Sequence, residues 1–92
     1  MTEAVTCRLV GLGPVGFVLS MPGGGYTAWE LEDSIELLLD DMILCERPNS
    51  TGREHLLHIR HGRMFEARGQ SGVSSFKAAC GAVKPIRQIK LD

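Results

Sequence analysis

The stretch TAWELEDSIELLLDDMIL, residues 27–44, decides the fold class, because reading it as helix or strand fixes how every other segment can be layered. Thr27 is followed three residues later by Glu30, the spacing of a capping box, in which the hydroxyl accepts from the Glu30 amide and the carboxylate accepts from the Thr27 amide. Leu31, Ile35, Leu38, Leu39 and Met42 then fall at i, i+4, i+7, i+8 and i+11, one apolar stripe of helical period. Acidic residues in the first turn suit the positive end of a helix dipole. The spacing predicts a helix from Thr27 to about Leu44. Its far side carries Glu32, Asp33, Glu36 and Asp40, with Trp29 among them, either as an exposed anchor or folded over the helix start into the core.

On either side of this segment the pattern switches to strands. Val5, Cys7 and Leu9 alternate with Thr6, Arg8 and Val10, Gly11 to Pro14 supplies a turn, and Val15 to Ser20 reads as the hairpin partner. Met21, Pro22 and Gly23 to Gly25 form a connection, and Arg47 to Arg53 a loop. His55 to Arg60 and Met64 to Ala67 read as two strands about His61, Gly62 and Arg63. Pairing Arg60 with Met64 puts Leu57, Ile59, Phe65 and Ala67 on one face and sets His58 opposite Glu66 on the other. Ser74 or Ser75 caps a second helix, Phe76 to Val83, stopped by Lys84 and Pro85, and Ile86 to Leu91 alternates as a final edge strand would.

Two ββα units follow from this order, with Gly13 matching Gly62 and Thr27 with Trp29 matching Ser74 with Phe76. The expected fold class is α+β: a four-stranded antiparallel sheet with two helices packed on one face, and a fifth strand at its edge. Ninety-two residues make one domain, 1–92, which buries roughly 60 to 65% of its unfolded surface. Hydrophobic content of 43% with 23% charged residues is that of a globular chain, not a disordered one. Cys7, Cys45 and Cys80 are odd in number and form no CxxC pair, which points to reduced thiols and a cytoplasmic location. The apolar run Leu9 to Met21 falls short of the ~20 residues a membrane span needs, and Gly and Pro interrupt it as a signal sequence.

Motifs of chemistry are sparse. Gly11, Gly13 and Gly16 spell GxGxxG, but Met21-Pro22-Gly23 breaks the chain before the crossover helix a dinucleotide fold requires, so the glycines read as a hairpin turn. Gly23 to Gly25 lack a P-loop lysine and precede Glu30 and Glu32, which would repel a phosphate. His55, His58 and His61 match no zinc spacing and read as surface residues. No nucleophile elbow or catalytic signature is present. No cofactor, metal, small-molecule substrate or membrane is expected, and the protein reads as a non-enzyme.

Charge carries the functional reading. From Met1 to Glu46 eight acids face the single base Arg8, a net of −7; from Arg47 to Asp92 nine bases face three acids, a net of +6; the sum is −1. No Lys or Arg lies between Arg8 and Arg47, so the acids of residues 30–41 have no partner at i+4. The expectation is an interaction protein with an acidic helix face (Trp29, Glu32, Asp33, Glu36, Asp40) and a basic hairpin (Arg60, Arg63, Arg68), and with Met64 and Phe65 as further apolar anchors. A protein or ribonucleoprotein complex is the expected partner. Nucleic acid comes second: Arg60, Arg63, Arg68 and the Lys84 to Lys90 tail would contact phosphates in a small regulator, against a pI near 6.3 and few aromatics for stacking.

In size, cytosolic character and ββαββ-type layout the chain resembles small proteins of phages and mobile elements that disable host machinery, including anti-CRISPR inhibitors of type I surveillance complexes. The resemblance implies a partner such as a Cas assembly with a channel rich in Lys and Arg. The carboxylates would imitate phosphates there, and Arg60 or Arg63 would meet acids of the same assembly.

Overall fold

Side-chain alternation, not helical spacing, governs residues 26–45. In the computed structural model, which describes residues 4–88, Tyr26–Leu31 forms strand β3 and Met42–Cys45 forms strand β4, with irregular chain between them. These join β1 (Val5–Leu12), β2 (Gly16–Ser20), β5 (Arg53–His58) and β6 (Arg63–Gly69) in an antiparallel ring ordered β1-β2-β3-β6-β5-β4. Because β4 pairs back with β1, the ring closes into a six-stranded barrel with no free edge inside it. Helix α1 (Phe76–Val83) lies outside the barrel against β2 and β3, and the two-residue β7 (Arg87–Gln88) pairs with Gly11 and Leu12. Ile86 to Leu91 as a whole edge strand extends beyond the described residues, which end at Gln88.

The expected α+β sandwich is therefore overturned: the described residues contain one helix, not two, and most of the structure is sheet. The ββαββ layout behind the resemblance to phage inhibitors goes with it. The capping box does not form, because Thr27 is a buried strand residue whose Oγ1 accepts from the Trp29 indole N–H at 2.8 Å. Thr27 and Trp29 point into the barrel, whereas Tyr26 and Ala28 point outward beneath α1. Alternation resumes after the strand: Leu37 is buried and Ile35 and Leu39 pack on the core, while Glu36, Leu38 and Asp40 face out. Leu38 and Met42, which helical spacing puts in the core, are exposed.

β3 and β4 stand three places apart in a ring of six, so residues 32–41 must cross from one side of the barrel to the other. The crossing lays Ile35, Leu37 and Leu39 over one mouth of the barrel. Inside, Leu9, Phe17, Leu19, Trp29, Ile43, Leu56 and Phe65 fill the interior, with Phe17 and Phe65 rings 6.0 Å apart and tilted at 59°. A barrel this narrow is packed with side chains and leaves no room for a ligand within. A second cluster, Val10, Val18 and Ala28 under Ala79 and Val83, seats the helix on the outer wall.

Local signals place α1 where the sequence expects it. The Ser75 hydroxyl accepts from the Ala78 amide at 3.1 Å, and Lys84 adopts the left-handed conformation at the C-cap. The β1–β2 hairpin also stands, closed by the Gly13 amide donating to the Gly16 carbonyl at 2.9 Å. A Cβ on Gly16 would lie 2.3 Å from the Trp29 carbonyl oxygen, so this glycine serves close packing and not a cofactor.

The β5–β6 hairpin exists with a different register. Leu57 pairs with Met64 and His58 with Arg63, which lengthens the turn to Ile59–Gly62 and puts Gly62, at φ 62°, in its last position. Leu56, His58, Phe65 and Ala67 consequently face inward, and Leu57 with Met64 faces out. His58, expected at the surface, is fully buried.

Burial also decides the thiols. Cys7 is pushed up to about 12 by burial, with nearby Cys45 adding to the effect, and burial pushes Cys45 up to about 11. The thiolate is the reactive form, so a disulfide-exchange reagent at pH 8 should modify only the half-buried Cys80 in the folded protein and all three thiols in denaturant. Rapid reaction of three thiols without denaturant would contradict the filled interior.

Candidate functional site

The acids of residues 32–41 do not form an open face; most are held by arginines brought from far along the chain. Glu32 accepts from Arg53 Nη2 and Arg68 Nε, each at 2.8 Å, and Asp33 accepts from Arg63 Nη2 at 3.3 Å. Asp40 pairs with Arg8, and Glu66 lies 3.2 Å from His55 and 3.8 Å from Arg53. The Arg68 hydrogen bond is the main reason the Glu32 carboxyl sits below its ordinary value, with Arg53 contributing. Glu36 is exposed and makes no ion pair among the described residues. Trp29 is wholly inside the barrel, the core one of its two expected positions. Three acids of the first half of the chain, Glu32, Asp33 and Asp41, are thus met by four arginines of the second.

Asp41, which sequence reading left out of the site, is the most connected acid. It is nearly buried and accepts from Arg60 through Nε (3.0 Å) and Nη2 (3.2 Å), from the Leu38 amide at 2.8 Å and from His58 Nε2 at 2.7 Å. The His61 amide donates to His58 Nδ1 at 3.1 Å, so that nitrogen is the acceptor and Nε2 carries the proton given to Asp41. Burial favours a protonated Asp41, but the hydrogen bonds from Arg60, His58 and the Leu38 amide outweigh it and hold the carboxyl at about 2. The same contact raises Arg60. With His58 fully buried, no substrate reaches this dyad; its work is to pin the 32–41 crossing to the barrel.

What remains open to a partner is the outer wall of β4, β5 and β6. Register sets Leu44, Leu57 and Met64 side by side across the three strands, and the Ile59 amide donates to the Met42 carbonyl at 3.2 Å, bringing Ile59 and Met42 together alongside that row. Met42, Ile59 and Met64 are 40%, 45% and 52% exposed. In the ring, β4 and β5 lie opposite β3 and β2, so this wall faces away from α1 and no element among the described residues covers it. Arg60 and Arg63 stand at its hairpin end.

Against family models, curated proteins and solved structures, the chain finds no match. Function therefore rests on the surface itself. Among the described residues no group of His, Cys, Asp and Glu converges as a metal site, and no helix is long and apolar enough to cross a membrane. Of the partner-binding residues expected from sequence, the structure brings Arg60 and Arg63 to the hairpin end of the apolar wall, Glu32, Asp33 and Arg68 to the ionic belt beside it, and Trp29 to the core. Met42, Leu44, Leu57 and Ile59 were not expected there. The helical reading of residues 27–44 hides the alternation of Met42 and Leu44, and the different register of β5 and β6 that of Leu57 and Ile59.

Proposed function

We propose that the protein is a non-catalytic interaction module that binds a folded protein partner through the outer wall of β4, β5 and β6. The in-register apolar row Leu44, Leu57 and Met64, with Met42 and Ile59 beside it, carries this reading. Contiguous apolar surface rimmed by polar groups marks interaction sites, and covering it is favourable by roughly 25 cal/mol per Å². Methionines at its centre adapt to the partner's contour. A barrel wall is convex, so the matching surface is a groove, apolar at its floor. The half-exposed Arg60 and Arg63 keep N–H groups beyond those given to Asp41, Asp33 and Ser34, which suits carboxylates or carbonyls at one end of that groove. Filling a groove excludes its other ligands, so such binding blocks. The three unpaired thiols fit a reducing, cytoplasmic setting. Nucleic acid is the less favoured partner, since Arg8, Arg53, Arg60, Arg63 and Arg68 already hold the protein's own carboxylates.

The test is a photoreactive side chain at Ile59, with one at Lys77 on α1 as control, in lysate of the source cells. Crosslinking from Ile59 to one protein, lowered at least about tenfold by Leu57→Asp with Met64→Asp, is the expected result. Equal capture from both positions, indifference to the double substitution, or binding of labelled DNA or RNA at low salt instead would overturn the reading.

A further inference from the structure

A cleft of about 340 Å³ opens on the opposite side of the barrel, where the C-terminal end of α1 meets the β1–β2 turn and strand β3. Pro14 and Val15 of the turn and Ala82 and Val83 of the helix give it an apolar lining. Glu30, Gln70 and Lys84 supply its polar groups. The cleft is built into the fold: Gly16 lets β2 approach β3, Val83 packs on Gly16, and the left-handed turn at Lys84 ends the helix there.

Its two charges are of opposite sign and, among the described residues, unpaired, a state they share with other surface residues such as Glu36 and Lys77, but here they border one cleft. Glu32, Asp33, Asp40, Asp41 and Glu66 are all held by cationic or imidazole groups of the chain, yet Glu30 and Lys84 border one cleft without meeting each other or any other charged partner within 4.0 Å among the described residues. Arg68 stands directly across from Glu30 in register, but its Nε is given to Glu32. Gln70 donates its Nε2 to the Arg68 carbonyl at 3.2 Å, and its Oε1 accepts no hydrogen bond among the described residues. A carboxylate and an ammonium thus border one apolar lining more than 4.0 Å from each other, with an amide acceptor beside them.

We infer that this cleft binds a short zwitterionic peptide of about dipeptide size, its ammonium on Glu30, its carboxylate on Lys84 and an aliphatic side chain against Val15 and Val83. The volume lies at the small end of the range for ligand sites, which are apolar with a few convergent polar groups. The peptide N–H meets Gln70 Oε1. A ligand with one charge leaves the other end of the site unmatched, so both free termini are required. The ligand covers Val15, which is 60% exposed without it.

A titration of the ¹⁵N-labelled full chain with the dipeptide alanyl-leucine tests this, read from amide shifts. Shifts should concentrate at Val15, Glu30, Gln70 and residues 82–84, and the N-acetylated or C-amidated dipeptide should bind about three- to tenfold more weakly. Glu30→Gln should weaken the free dipeptide but not the N-acetylated one, and Lys84→Gln the free dipeptide but not the C-amidated one. Both side chains are at the surface, so an unchanged spectrum verifies folding. No shifts at tens of millimolar, shifts elsewhere, or equal binding of blocked and free dipeptides would overturn the site. Leu57→Asp with Met64→Asp, which tests the apolar wall, should leave dipeptide binding unaltered.

Discussion

Trp29→Ala is expected to lower the unfolding free energy by about 3–5 kcal/mol, the cost of deleting a large aromatic from a closed core. Trp29 is fully buried among the interior side chains of the barrel, and its indole N–H donates to Thr27 Oγ1. Truncation removes the ring, opens a cavity the rigid barrel cannot close, and strips a buried hydroxyl of its donor. Domains of this size have total stabilities of about 5–15 kcal/mol, so the loss is a large share of the whole. The melting temperature should fall by roughly 12–40 °C, at about 4–8 °C per kcal/mol. Trp29→Phe keeps most of the ring and should cost markedly less. Urea unfolding of the three proteins separates the barrel from the helical alternative. On the solvated face of a helix the Ala variant would cost no more than about 0.5 kcal/mol.

That alternative arises from a numerical coincidence in the sequence. Leu31, Ile35 and Leu39 are four apart, a spacing that suits one face of a helix and, being even, one face of an extended chain. Leu38 and Met42 tipped the pattern towards the helical period, and both turn out exposed. Tyr26, Thr27 and Trp29 are residues that favour strands, and the alternation of Thr27 and Trp29 with Ala28 and Glu30 was the competing signal. Elements whose signals are local were legible: α1 from Ser75 to Lys84, and the β1–β2 hairpin, whose turn lies at residues 13–15 where the glycines predict Gly11 to Pro14. Closure of the barrel was not, because it depends on β4 meeting β1 and β3 meeting β6, pairings no local motif announces.

The site was obscured for the same reason. A net of −7 in one half and +6 in the other fits two faces offered to visitors as well as two halves made for each other. Distances decide: Glu32 with Arg68, Asp33 with Arg63 and Asp41 with Arg60 join residues 36, 30 and 19 positions apart. A three-residue shift of register in β5, Leu57 in place of Arg60 opposite Met64, separates Leu57 in the core from Leu57 on the apolar wall, because an odd shift exchanges the two faces.

Asp41 gives the second large effect, and its sign follows from the direction of its shift. The carboxyl falls from its ordinary 3.8 to about 2 in the folded protein, so the folded state binds the anion better than the unfolded chain does. Its contribution is complete above pH 4, shrinks as pH drops through the window from about 4 to about 2, and is gone below it. At about 1.4 kcal/mol per unit this amounts to about 2 kcal/mol of stability lost over that window. Asp41→Asn should cost about 3 kcal/mol at neutral pH, because the partners cannot all adjust. Arg60 is half-exposed and can turn to water; His58 is not and cannot. An amide NH2 facing His58 Nε2–H is a clash of donors, and moving the ring proton to Nδ1 only transfers the clash to the His61 amide. Urea unfolding of both proteins from pH 5 to pH 2 checks this. The wild type should converge on the Asn variant as the acid limit is approached, whereas parallel curves would mean that Asp41 does not pin the crossing segment to the barrel.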